Sequence, residues 1–312
     1  MTISAKVIAD SITPWGQRVT TYELEYPRFI HAEYMTHRLF SRNAASSRAI
    51  PVSRAIELIR ENTAMPIHWG KNQPGMSAKE ECDAHHIVKD ENGKTLMDWG
   101  REVIWNRARD AAIMFSEIFN SLGYHKQIVN RLLEPFTHIK VVCTATEYDN
   151  FFWLRKHPDA QPEIQELAER MWEAREASTP HLLQPGEWHV PYFEDGYWSK
   201  EVCDAPLDDA LAISASCAAQ VSYRRLDDSL EKARNIFNRL IESKPCHASP
   251  TEHQCTPIDL DAYRDGFCHD ELPKGVTHID VRTEDTFWSG NFKNWIQYRQ
   301  LIPGNVCNDY RP

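Results

Sequence analysis

Between Ser41 and Arg48, six of eight positions carry hydroxyl, amide or guanidinium side chains: Ser41, Arg42, Asn43, Ser46, Ser47 and Arg48. Arg presents a planar fork of donors and Ser a short one, so the stretch suits an anionic, hydrogen-bonding ligand such as a nucleotide phosphate. The same letters also read as a solvated turn with capping serines. Two elements must position the stretch. Upstream, Phe29, Ile30, Tyr34, Leu39 and Phe40 predict a helix that opens it. Downstream, Pro51 starts an amphipathic helix over 51–63, with Val52, Ile56, Leu58 and Ile59 on its apolar side.

The rest of the chain supplies candidate supports. Residues 3–27 read as two strands around the turn Pro14-Trp15-Gly16, the second ended by Pro27. Residues 77–122 read as largely helical, interrupted by a turn at 89–94, with a helix from about Trp99 to Leu122 that stops at Gly123. A strand follows at 138–148 and an amphipathic helix at 162–177. Residues 194–208 read as a linker, 257–287 as an acidic, irregular insertion, and 291–302 as a terminal amphipathic helix with Trp295 and Ile296 inward. Cys82, His85 and His86 form a cluster with some metal-ligand character, but no second pair stands at a zinc-site spacing, so no metal is expected.

Bulk properties narrow the class. A chain of 312 residues can bury a full core as one large domain or two. The net charge of −10 argues against a general nucleic-acid-binding surface while leaving room for a local basic pocket. No apolar run approaches the roughly 20 residues of a membrane span, and the N-terminus lacks signal-peptide character, so a cytoplasmic protein is expected. Eight cysteines (82, 143, 203, 217, 246, 255, 268 and 307) without close pairs read as reduced thiols.

Thr36-His37-Arg38, seven residues, then Ser46-Ser47-Arg48 resembles the signature of the flavin-dependent thymidylate synthases: Arg-His-Arg, seven residues, Ser-x-Arg. Ser41 and Asn43 fall where the longer motif has Ser and Asn; Thr36, Ala44 and Ala49 depart from it. Arg131 and Pro135 resemble the family's Arg, three residues, Pro. Asn150-Phe-Phe-Trp-Leu-Arg155, five residues, Gln161-Pro162-Glu163-Ile164 resembles a further family block, with Asp159 replacing a His. Residues 214–225 and 244–253, with Ser222, His247, Ser249, Pro250, Glu252 and His253, resemble the part that precedes the signature in ordinary members. Here that part follows the signature, as expected of a circular permutation or partial duplication. Gln297-Tyr298-Arg299 stand in the second region as Thr36-His37-Arg38 stand in the first.

The resemblance implies an α+β fold, a sheet flanked by helices in permuted order. It implies a signature and nucleotide-binding region at 1–200 and a permuted region at 207–312. It also implies a homo-oligomer with sites built between subunits, and the reductive methylation of dUMP at C5 using methylenetetrahydrofolate, FAD and NADPH without an enzyme nucleophile. Carried over, Ser46, Arg48 and Arg155 are the catalytic set, and Glu33, Ser47 and Arg131 join them at the substrate. His37, Arg38, Ser41, Asn43, Asn150, Ser222, His247, Ser249 and Arg299 are the cofactor set, with Arg299 the natural replacement for the Arg missing at Thr36. Glu33 stands where the family often has Gln. An ionised carboxylate only accepts hydrogen bonds, so a dCMP-directed or hydroxymethylating enzyme is the alternative, and a non-catalytic nucleotide-binding homologue the third reading.

Overall fold

The computed structural model describes residues 3–221, 227–264, 272–280, 282–283 and 286–309. β1 (Ser4–Ile12) and β2 (Arg18–Pro27) form an antiparallel hairpin, turned at Gly16 with a positive φ of 87°. A 3-10 turn at Arg28–Ile30 runs into α1 (His31–Tyr34). The expected opening helix is therefore little more than a turn long. Tyr34 and Phe40 must both enter the core, where their rings lie 5.8 Å apart, and a continued helix would not bring them there. β3 (Ser41–Ala44) follows, so the polar stretch begins as an edge strand. α2 (Val52–Glu61) then buries Val52, Ala55, Ile56 and Ile59, a helical stripe.

Residues 77–99 depart from the helical expectation. β4 (His86–Lys89) and β5 (Thr95–Trp99) form a hairpin whose turn is closed by Asp90, which accepts from the backbone N–H groups of Asn92 and Lys94. β-branched Ile87 and Val88 favour the strand, and the polar turn joins two strands instead of breaking a helix. α3 (Arg101–Ser121) runs to Leu122, and Gly123 takes φ 84°, the stop expected of it.

α4 (Lys126–Val129) passes into 3-10 turns at Asn130–Leu132 and Glu134–Phe136, then β6 (His138–Ala145), α5 (Asp149–Arg155), α6 (Pro162–Glu176) and β7 (His181–Leu182). The order β3-β6-β2-β1-β7 makes a five-stranded sheet, antiparallel except for β1 with β7. Its core gathers Tyr22, Tyr26, Tyr34, Phe40, Tyr148 and Phe151.

A second sheet joins β8 (Trp188–His189) and β9 (Tyr197–Trp198) to strands far along the chain. Between them come α7 (Leu207–Ala219), α8 (Leu230–Ile241) and a 3-10 turn at Ser249–Glu252. β10 (Cys255–Pro257), α9 (Leu260–Arg264), β11 (His278–Ile279), β12 (Phe287–Ser289), β13 (Phe292–Lys293) and β14 (Trp295–Gln297) close the chain, with a last 3-10 turn at Tyr298–Leu301. The order β14-β10-β8-β9 draws on residues either side of 200–207, so the stretch read as a linker contains a strand and buries Trp198. The expected terminal helix at 291–302 is also corrected. Trp295, Ile296 and Gln297 are buried in succession, which a strand covered on both faces permits and a helical stripe does not.

Candidate functional site

The two signature blocks meet at the C-terminal end of α5. Arg155, half-buried, turns back to α1, where one guanidinium nitrogen pairs with the Glu33 carboxylate and Nε donates to His37 Nε2 at 3.0 Å. These partners are 122 and 118 residues apart in sequence. Because His37 accepts at Nε2, its ring proton sits on Nδ1 and the ring is neutral. Burial, then the guanidinium groups of Arg155 and Arg42, push its pKa down to about 4. Phe151 meets the ring edge-on at 4.8 Å and Phe40 stacks at 5.7 Å, so the imidazole has one orientation.

A second group lies at the other end of β3. The Ser47 hydroxyl donates to Glu134 at 2.7 Å, and Asn130 donates to the carbonyls of Ser47 and Ile50 at 2.7 and 2.9 Å. Asn130, buried, thus fixes the loop, and sequence reading does not single it out beside Arg131. Arg131 itself is exposed and paired with Glu134 at 3.1 Å. The Arg48 backbone N–H donates to Ser46 Oγ at 3.3 Å, while its guanidinium is exposed and holds no ion pair among the described residues. A cavity of about 580 Å³ abuts this loop, its lining mixing the basic groups of Arg28, Arg54 and Lys140 with the carboxylates of Glu25, Glu61 and Glu134 among apolar neighbours. Burial holds the Arg28 and His138 pKa values below their usual range.

Of the predicted cofactor set, Ser41 and Asn43 lie on β3. Ser41 is buried and bonded to Asn291 and Gln297; Asn43 donates to the Ala218 carbonyl at 3.3 Å. Arg299 pairs with Glu252 and donates to the Asn305 carbonyl at 3.1 Å. Arg38, Asn150, His247 and Ser249 are exposed. Ser222 lies outside the described residues. The structure therefore brings together Glu33, His37 and Arg155, and separately Ser46, Ser47, Arg48 and Arg131. Ser41 and Arg299 are linked through Gln297 and Glu252. In the cysteine-histidine cluster, His85 Nδ1 bonds Asp98 at 2.6 Å, and among the described residues no three His, Cys, Asp or Glu side chains gather as a metal site.

A sheet flanked by helices, with Arg155 and His37 from two distant signature blocks in contact, defines an α+β protein. Residues 9–181 match the family described as thymidylate synthase complementing protein, more than half of the chain, and the chain belongs to that family. Comparison with curated protein sequences gives no match. Among solved structures, the UMP/dUMP methylase PolB from Streptomyces cacaoi, bound with 5-Br dUMP, is similar over 56% of this chain and 90% of that one, at 17% identity and a TM-score of 0.40. The same protein bound with 5-Br UMP gives 16% identity and a TM-score of 0.39 over 56% of this chain and 88% of that one. The flavin-dependent thymidylate synthase ThyX from Helicobacter pylori, complexed with FAD and dUMP, gives 17% identity and a TM-score of 0.32 over 50% of this chain and 67% of that one.

Proposed function

We propose that this chain is a flavin-dependent thymidylate synthase that methylates dUMP at C5, taking its one-carbon unit from methylenetetrahydrofolate and its electrons from NADPH through FAD. The observation that carries the reading is the contact of Arg155 with Glu33 and His37, which joins the two signature blocks in one family member. The residues present fit a flavin dinucleotide. Arg38, exposed, would meet the diphosphate of such a cofactor, and exposed Asn150, His247 and Ser249 would offer it further polar groups. When bound, the flavin supplies the hydride.

The protein's own part is electrostatic. Arg48 and Arg131 hold the nucleotide phosphate, with Ser46 at the pyrimidine edge. Arg155, aimed by Glu33 and His37, stabilises negative charge on the pyrimidine oxygens and so makes C5 a better nucleophile. Neutral His37 orients this guanidinium without competing for the anion. Buried thiols are poor candidates for attack on C6: burial pushes Cys143 up to about 11 and Cys217 up to about 12, and raises Cys255 well above the usual thiol range. Glu33 is engaged by Arg155, which favours dUMP over the alternative that has its carboxylate read an amino group.

In this reading residues 1–200 carry the signature and 207–312 supply, in permuted order, what ordinary members carry ahead of it. Apolar Phe115, Ile118 and Leu122 stand exposed along α3, which supports a homo-oligomer that covers them. No helix among the described residues is long and apolar enough to cross a membrane. The test is the mass of the nucleotide after incubation with FAD, NADPH, methylenetetrahydrofolate and either dUMP or dCMP. A methylated product from dUMP alone is expected. Product from dCMP, a hydroxymethylated product, or no product from flavin-loaded protein overturns the reading.

A further inference from the structure

The family match ends at residue 181, yet the head of the signature strand is held from beyond it. Ser41 and Thr144 are register partners on β3 and β6, and both are buried. The Thr144 hydroxyl bonds His253 Nδ1 at 2.9 Å. The Ser41 hydroxyl accepts from Gln297 Nε2 and from Asn291 Nδ2, each at 3.1 Å, and Asn291 also donates to the Leu39 carbonyl at 2.8 Å. Gln297 Nε2 in addition reaches the Glu252 carbonyl at 3.1 Å. One amide thus spans the signature strand and the turn Ser249–Glu252, and His253, next in sequence to Glu252, fastens the same turn to the neighbouring strand.

The seam is buried. Gln297 is 1% exposed, Ser41 1%, and Thr144 and His253 are fully buried. Thr144 passes on through Thr21 at 2.7 Å to His189 at 2.8 Å and Ser11 at 2.9 Å. The amide of Gln297 and the hydroxyls of Ser41 and Thr144 are paired this way and hold one geometry, because each alternative leaves a donor or acceptor unmet, while His253 is tied through Nδ1 alone.

Resting on the flavin reading above, we propose that Gln297, with Asn291 and His253, is a positioning residue: it locks the turn 249–252 against Ser41, so that the two segments form one cofactor-binding wall. Gln297 is the linchpin because its amide donates to both segments. A side chain of the same shape that cannot donate releases the turn, and one that only accepts sets a carboxylate against a hydroxyl oxygen and a carbonyl.

The experiment uses the full chain and the variants Gln297→Met, Gln297→Glu and Asn291→Ala, the last half-buried and the safest to fold. FAD binding is measured by flavin fluorescence, dUMP binding at saturating FAD by calorimetry, and amide exchange at residues 41–44 and 249–253 by mass spectrometry. Loss of one or two buried hydrogen bonds is expected to weaken FAD binding about tenfold in Gln297→Met and Asn291→Ala, and further in Gln297→Glu. Exchange should quicken about tenfold at both segments and nowhere else, with dUMP affinity within about twofold of the parent. Unchanged FAD affinity and exchange overturn the proposal, as does a uniform loss across every readout with a lowered melting temperature. If the parent protein binds no FAD, the flavin reading fails, and the exchange pattern alone decides whether Gln297 positions the turn.

Discussion

Acid should unfold this protein through His189 and His253. Both are fully buried and neutral, and burial pushes each down to about 3 from an ordinary value of 6.5. The unfolded chain takes up a proton on each as pH falls through about 6.5, while the folded chain does not. The stabilisation is therefore complete above the unfolded value and is lost progressively as pH drops toward the folded one. Between about pH 7 and about pH 5 each histidine removes roughly 2 kcal/mol, and the pair roughly 4 kcal/mol.

His189→Gln and His253→Gln each delete one titrating ring and keep a side chain that can bond the threonine hydroxyls. Urea unfolding at the two pH values, followed by far-ultraviolet circular dichroism, gives the loss for parent and variant. His31 and His37, held down to about 4, and the carboxylates act equally in both proteins and cancel in the difference. Each single variant should lose roughly 2 kcal/mol less than the parent across the interval. Equal losses in parent and variants would refute the assignment of these rings as neutral and buried.

Arg48→Ala should weaken dUMP binding about tenfold or more without moving the melting temperature, since its guanidinium is exposed and holds no ion pair among the described residues; calorimetry and thermal melts check both halves. Arg155→Ala should lower kcat/KM by about a hundredfold in steady-state assays, because it removes charge stabilisation at the pyrimidine and also strands Glu33. Trp295→Ala, at a fully buried ring, should cost about 3–5 kcal/mol in denaturant unfolding.

What local pattern could reveal, it did. The two strands around the turn at Gly16, the stripe of α2, the Gly123 stop and the strand at 138–145 all follow from side-chain pattern and backbone preference within a dozen residues. The signature blocks likewise pointed to His37 and Arg155, which the fold brings to 3.0 Å. Two of the failures share one physical origin. At 86–99 and 292–297, short apolar runs fit helix and strand alike, and the choice is made by a partner strand remote in sequence or by a turn. Gln297 reaches Ser41 across 256 residues, and no local pattern encodes that register.

The same limit holds for the candidate site residues, whose types the sequence shows and whose arrangement it does not. Arg38, Arg48 and Asn150 are exposed polar residues, and sequence alone cannot separate a ligand-binding guanidinium from a solvated one. The separation comes from what surrounds them. Arg131 has Glu134 at 3.1 Å, so binding an anion must compete with an existing pair, whereas Arg48 stands without one among the described residues. Of the two, Arg48 should therefore contribute more to nucleotide affinity. The order is set by the neighbours the fold supplies, since the two side chains are chemically identical.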